Sequence, residues 1–374
     1  MSDLIFYDRS RVSLDWKCPR ARWWGNEWEG LGVVPMQRMI YFDIGDAYHK
    51  AVAALKCGED LEEVVGDAVG GFREALRGGN LLPEAIEEQA CLVEGLIRGY
   101  ARQVLPPLLA EFDLVGVEEE FLHPHGQCVQ GVRPDSLFER KSDKTLWYME
   151  EKTASSLGPQ WMQQWAKAIQ LHTTALAVEH HIGREVQGII VQGAYKGYVK
   201  DGKQSSIFCY GYARPGLTGG PDVYYQWKAG TKRTPVWEMK GGCRRWVEEM
   251  PEEVLSAQFV QAPPVFLQRR LVEAFLRQQE RREMAIEDAG MEIRENPVDD
   301  LSTEELLDDF FPQHFDQCAP AMGSPCAYAN LCFLGDNITP IESGLYTYRQ
   351  PHHSTDERGW RRWEELTGRN RANV

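Results

Sequence analysis

The sequence predicts an α/β fold: a mixed central sheet flanked by helices, with a helical part before it. Three observations predict it. Residues 127–133 and 145–152 carry strand patterns, residues 161–180 carry a helical one, and residues 186–194 form a buried-looking strand rich in Val and Ile. Strands, then a helix, then a strand describe a short meander feeding a crossover helix.

The elements follow in order. Residues 42–56 read as a helix from their Ala-rich spacing, with Gly58 as its stop. A second helix is predicted from Pro83 to Val104, ended by Pro106 and Pro107. The two strands at 127–133 and 145–152 are separated by a turn-like stretch at 139–143. The helix beginning at Trp161 is entered just after Pro159 and closes near Gly183. Residues 206–212 are expected to pair beside the 186–194 strand. Residues 215–220 are a glycine-rich loop, followed by aromatic-rich segments through Trp237, and 263–289 is a long Arg-rich helix. The stretch 318–332 is irregular, and the tail from about Gln350 is polar. Segments are therefore drawn at 1–41, 42–110, 111–262, 263–335 and 336–374.

Bulk properties narrow the function classes. The chain has 374 residues and can bury a large core. No apolar run reaches membrane-spanning length, and the N-terminus lacks a basic segment followed by an apolar one, so membrane insertion and secretion are not expected. Nine cysteines, an odd number, point to a reducing, cytoplasmic compartment rather than a disulfide framework. A formal charge of −15 opposes nucleic-acid binding by bulk attraction. Local basic patches remain: Arg9, Arg11, Lys17, Arg20 and Arg22; Lys228 to Arg245; and Arg269 to Arg282 along the long helix. A solvated mixed-charge surface accounts equally well for each.

Chemistry concentrates at Asp135 and at Glu150-Glu151-Lys152. Alternate residues of a strand share a face, so Glu150 and Lys152 point one way and Glu151 the other. Asp135 and Glu150 then offer oxygens to one hard cation, with the backbone carbonyl of Glu151 as a further ligand. Lys152 stands where it can orient or deprotonate a metal-activated water. Such a set suits phosphodiester hydrolysis. Alone the pattern is weak, and a surface salt bridge explains most such matches.

Four ordered segments strengthen it: Ser13-Leu-Asp-Trp-Lys-Cys18-Pro-Arg20, Gly45-Asp-Ala-Tyr-His49, the Asp135 and Glu150-x-Lys152-Thr153 core, and Gln170-Leu-His-Thr-Thr174. Together they resemble the PD-(D/E)XK nuclease superfamily, in its RecB-type, CRISPR spacer-acquisition and phage exonuclease branch. The resemblance implies a restriction-endonuclease-like core with a C-terminal cysteine-bound staple. It also implies His49 as a metal ligand beside Asp135 and Glu150, magnesium or manganese as cofactor, and a water nucleophile leaving a 5′-phosphate. Gln170 matches the family's site glutamine, with Gln164 as the competing alignment; Thr174 replaces the family's tyrosine. Gln163, Lys167, Gln170 and Thr174 fall at helical spacing on one face.

Cys18, Cys318, Cys326 and Cys332 match the branch's one N-terminal and three C-terminal cysteines, which implies a 4Fe-4S cluster tying the chain ends together. Ligand count alone equally allows a closed four-thiolate zinc site. Cys57, Cys91, Cys128, Cys209 and Cys243 lack ligand spacing and read as packing. The expected activity is a metal-dependent DNA exonuclease acting on single strands or DNA ends, with a helicase, recombinase or integrase as protein partner. The alternative is a non-catalytic DNA-binding or assembly subunit of a recombination or spacer-capture complex.

Overall fold

A central strand, Leu146–Ala154, buried on both faces along its first six residues, organises the molecule. The computed structural model describes residues 4–36, 40–77, 81–197, 207–212, 233–295, 301–318, 326–333 and 340–350. In chain order, the elements that position the site are β1 (Ile5–Asp8), α1 (Arg9–Lys17), α2 (Ile40–Lys56), α3 (Leu61–Leu76), α4 (Pro83–Gln103), β2 (Phe112–Val117), β3 (Phe121–His125), β4 (Cys128–Val132), β5 (Ser136–Arg140), β6 (Leu146–Ala154), α5 (Ile169–Ile182), β7 (Val186–Tyr195), β8 (Phe259–Gln261) and α6 (Arg269–Glu295).

Local chemistry sets their ends. Asp8 caps α1 by accepting from Arg11 N at 3.0 Å, and Asp60 caps α3 through the Glu62 and Glu63 amides. Pro83 opens α4, and Gly183, in the left-handed region at φ 72°, closes α5.

The five-stranded sheet runs β8-β7-β6-β5-β2. β6 and β7 are parallel, joined by the crossover through α5, and the other pairs are antiparallel. The fold is thus α/β with mixed sheets flanked by helices, the class expected. A second sheet, β1-β4-β3, joins the N-terminal strand in parallel to β4. One face of the main sheet, with Leu146, Tyr148 and Val191, packs on Leu171 and Val178 of α5. On the other face Trp147, Met149 and Ile190 pack with Phe112 and Phe138. The helices α2, α3 and α4 share a separate core built around Tyr48, Phe72 and Leu96. No helix among the described residues is long and apolar enough to cross a membrane.

Several expectations are corrected. The strand at 127–133 exists as β4 but belongs to the small sheet, so it is not the neighbour of the Glu-x-Lys strand. That neighbour is β5, which takes in the first two of the five residues read as a turn; the turn itself lies at 141–143. The helix expected over 161–180 is broken. A helix at Pro159–Gln164 and a 3-10 turn at Trp165–Lys167 end at Ala168, whose ψ of 92° is extended, before α5 begins. The strand Tyr210–Tyr212 pairs with Arg233–Pro235, while the position beside β7 is taken by β8. The long helix starts at Arg269 rather than at 263, because Val265 bridges Ile189 in extended form. The loop at 215–220 and the aromatics from Tyr224 up to 232 lie outside the described residues, as does the tail from 351; Trp237 sits in a 3-10 turn.

Candidate functional site

The site forms where the β5 and β6 strands meet the helix α2. Asp135 immediately precedes β5 and accepts a hydrogen bond from the Glu151 amide at 2.6 Å, which fixes its carboxylate to the backbone of β6. On α2, His49 brings Nδ1 to 3.4 Å from Asp135 Oδ1. Glu118, just past β2, donates its amide to the Asp135 carbonyl at 3.2 Å. One ligand atom each from His49, Glu118 and Asp135 lies within 4.8 Å of the others. Two carboxylates and an imidazole are a donor set that suits manganese or magnesium.

The alternation of β6 separates the next three residues. Glu150 and Lys152 share a face: the Lys152 ammonium donates to the Glu150 carboxylate, as does the Tyr148 hydroxyl, and Arg9 Nη1 of α1 approaches Glu150 Oε1 at 3.3 Å. Glu150 is buried and is not part of the His49–Glu118–Asp135 group. Glu151 turns to the opposite face, where its carboxylate meets the Lys56 ammonium and accepts from Tyr100 Oη at 3.2 Å. Lys56 also donates to Ser136 Oγ at 2.8 Å. This buried pair ties the last turn of α2, which carries His49, to both strands of the site.

Electrostatics follow from that packing. Burial pushes the Asp135 carboxyl up, but the charges of Lys152 and His49, the His49 hydrogen bond and the Lys56 charge outweigh it and hold it well below the usual carboxylate range. Burial lowers His49, yet the Asp135 charge and hydrogen bond leave it raised overall. Burial likewise lowers Lys152, and the Glu150 and Asp135 charges reverse that, so it is raised and stays an ammonium. Glu118 is raised by burial first and the Asp135 charge second.

No protein-family model and no curated protein matches the chain. Its own geometry is therefore the evidence on function.

Asp135, Lys152 and His49 are brought together, with Glu150 joined through Lys152. Gln170 is not joined to them. It lies half-buried at the start of α5, its carbonyl accepting from Thr173 Oγ1 at 3.1 Å, and among the described residues its side chain bonds to none of the site residues. Gln164 and Lys167 are exposed, Thr174 is buried, and the break at Ala168 removes the single helical face expected for them. The sequence reading missed Glu118. Its only signal was the acidic run at 118–120, a pattern that usually marks a solvated loop.

Cys18, Cys318 and Cys326 are linked through backbone groups at the other end of α1. Cys18 follows its last residue and accepts from His314 N at 3.4 Å, and Cys318 Sγ donates to His314 O at 3.8 Å. Cys326 N donates to the Cys318 carbonyl at 3.0 Å. Cys18 and Cys326 also share an apolar cluster with Tyr328 and Tyr346. Burial raises Cys332 to about 11, with the Cys326 and Cys18 thiols adding to it. Of the remaining thiols, Cys91, Cys209 and Cys243 donate to backbone carbonyls inside the helical core, and Cys57 is exposed.

Part of each basic patch is taken up by pairing among the described residues, while Arg270, Arg277 and Arg281 of the long helix are exposed. Arg22 binds Glu283, Arg20 binds Asp308, Arg282 binds Asp15 and Arg269 binds Glu179. Arg244 and Arg245 pair with Glu248 and Glu249 along their own helix.

Proposed function

We propose that the chain is a metal-dependent deoxyribonuclease of the PD-(D/E)XK type, acting on single-stranded DNA or DNA ends. One observation carries this reading. Asp135 stands between a histidine–carboxylate group able to take a hard cation and a lysine–carboxylate pair on the adjacent strand. The donors His49, Glu118 and Asp135 suit the cation, and the Glu151 carbonyl and Glu150 are candidate further ligands on the same strand. A divalent cation held there would neutralise the scissile phosphate and lower the pKa of a bound water.

The chain's own groups supply the rest. Lys152, whose ammonium donates to the Glu150 carboxylate, places its Nζ to orient a water or a phosphate oxygen. Tyr148 holds Glu150 by its Oε2, leaving the other oxygen for Lys152 and Arg9. The Glu151 amide keeps Asp135 from rotating. Cys18, Cys318, Cys326 and Cys332 would hold a 4Fe-4S cluster as a structural staple, with a closed four-thiolate zinc site as the alternative. Broad visible absorbance from anaerobically purified protein is the expected sign, and a colourless preparation with stoichiometric zinc contradicts it.

Manganese titration tests the centre directly. The intact chain should bind with a saturable isotherm, and Asp135→Asn should lose more than about 100-fold in affinity, beyond the loss of an outer partner. Equal affinity in both proteins would remove the centre.

A further inference from the structure

A second feature adjoins the site on α1. This helix buries its acidic residue, Asp15, against Arg282, and buries Val12. Its exposed residues are Arg9, Ser10, Ser13, Trp16 and Lys17, none of them acidic. In a chain of formal charge −15, this face carries two cationic side chains, Lys17 and an Arg9 ion-paired with Glu150, and no exposed acidic one. Arg9 stands at its inner end, 3.3 Å from Glu150, with its side chain about half exposed. Trp16 is 56% exposed, although it is held edge-on by Phe275 of α6 at 5.4 Å and 87°. Positions 9, 13 and 16 repeat at helical spacing and share one side of α1.

We propose that this face is a binding track for single-stranded nucleic acid that leads into the site, Arg9 holding a backbone phosphate and Trp16 stacking a base. The proposal rests on the nuclease reading of the site and adds the residues that seat its substrate. Seven residues of helix advance about 10 Å, the length of roughly three nucleotides stacked at 3.4 Å each. The two contacts therefore fall on one short strand. A phosphate at Arg9 lies next to the Glu150–Lys152 pair, and Phe275 fixes the indole so that little freedom is lost when a base stacks on it. Backbone charge contact plus a sequence-tolerant aromatic platform is the chemistry by which single strands are held. Duplex bases, already stacked on one another, present no free face to Trp16.

Fluorescence anisotropy of a labelled 12-mer oligothymidylate, with EDTA present so that cleavage does not intervene, tests the track on the full chain. Trp16→Ala should weaken binding by about 5- to 100-fold, the loss of one stacked base, and Trp16→Phe should recover most of it. Arg9→Ala should lower the salt slope of binding by about one. A blunt duplex of the same length should bind more weakly and be insensitive to Trp16. No binding by the parent chain, equal binding by parent and Trp16→Ala, or equal losses in the Ala and Phe variants would overturn the track. The two readings fail separately. Trp16-dependent binding without any metal-dependent cleavage defeats the nuclease and keeps the track, and cleavage indifferent to Trp16 does the reverse.

Discussion

Asp135 is the residue on which the site turns, since it contacts His49, the Glu151 amide and, through charge, Lys152. The shared face of Glu150 and Lys152 was legible, because period-two alternation follows from backbone geometry alone, whereas the place of Asp135 before β5 was not. Glu118 was not legible, because its approach depends on a turn at φ 52° that no local pattern announces. Gln170 was read as a site residue from the order of the segments; the Ala168 break interrupts the helical face expected for it, and among the described residues its side chain bonds to none of the site residues. The raised His49 pKa gives a pH prediction. Its protonated form supports the cation-free fold fully below about 6.5, and that support is lost as pH rises through the raised folded value. Cation binding needs the neutral imidazole. Manganese affinity should therefore climb by up to about tenfold per pH unit and level off once pH passes that value. His49→Gln should flatten the climb in titrations from pH 6 to 9, and an unchanged profile would remove His49 from the centre.

At the scale of elements, the Lys56–Glu151 pair explains how a helix from the N-terminal half holds its register against the sheet. Both side chains are about 1% exposed, so neither ion finds water if its partner is lost. Lys56→Ala or Glu151→Ala should each cost about 3–5 kcal/mol in urea unfolding, whereas Lys56→Met with Glu151→Leu should cost less than either single change. Additive losses would show that the pair is not a coupled unit. Nothing local marked Lys56 as buried, since a lysine near a helix end ordinarily reaches solvent. Elements with strong periodicity or proline and glycine boundaries, such as α4 and β7, were legible. β5 was not, because it is short and its Glu139 and Arg140 look like turn residues; they sit at the rim of the sheet, where Arg140 covers the Trp147 ring at 4.2 Å.

Across the whole molecule, the two ends of the chain are joined at one place. The strand Val33–Pro35 pairs with Tyr346–Tyr348, Tyr328 Oη donates to the Val33 carbonyl at 3.1 Å, and Cys18 and Cys326 pack in the same apolar cluster as Tyr328 and Tyr346. α1 runs between this junction and the site, with Cys18 following its last residue and Arg9 at its first. The formal charge said nothing of this arrangement, and the basic runs were misleading because pairing occurs between segments distant in sequence, such as Arg22 with Glu283. The central claim is hydrolysis by the Asp135–Glu150–Lys152 set, and end-labelled DNA tests it most directly. With manganese or magnesium, the full chain should release labelled products from single-stranded DNA or DNA ends. EDTA should abolish release, and Lys152→Ala should slow it by at least about 100-fold, the scale of losing a donor aimed at developing charge. Release that persists in EDTA, or proceeds equally in the Lys152 variant, would contradict the account.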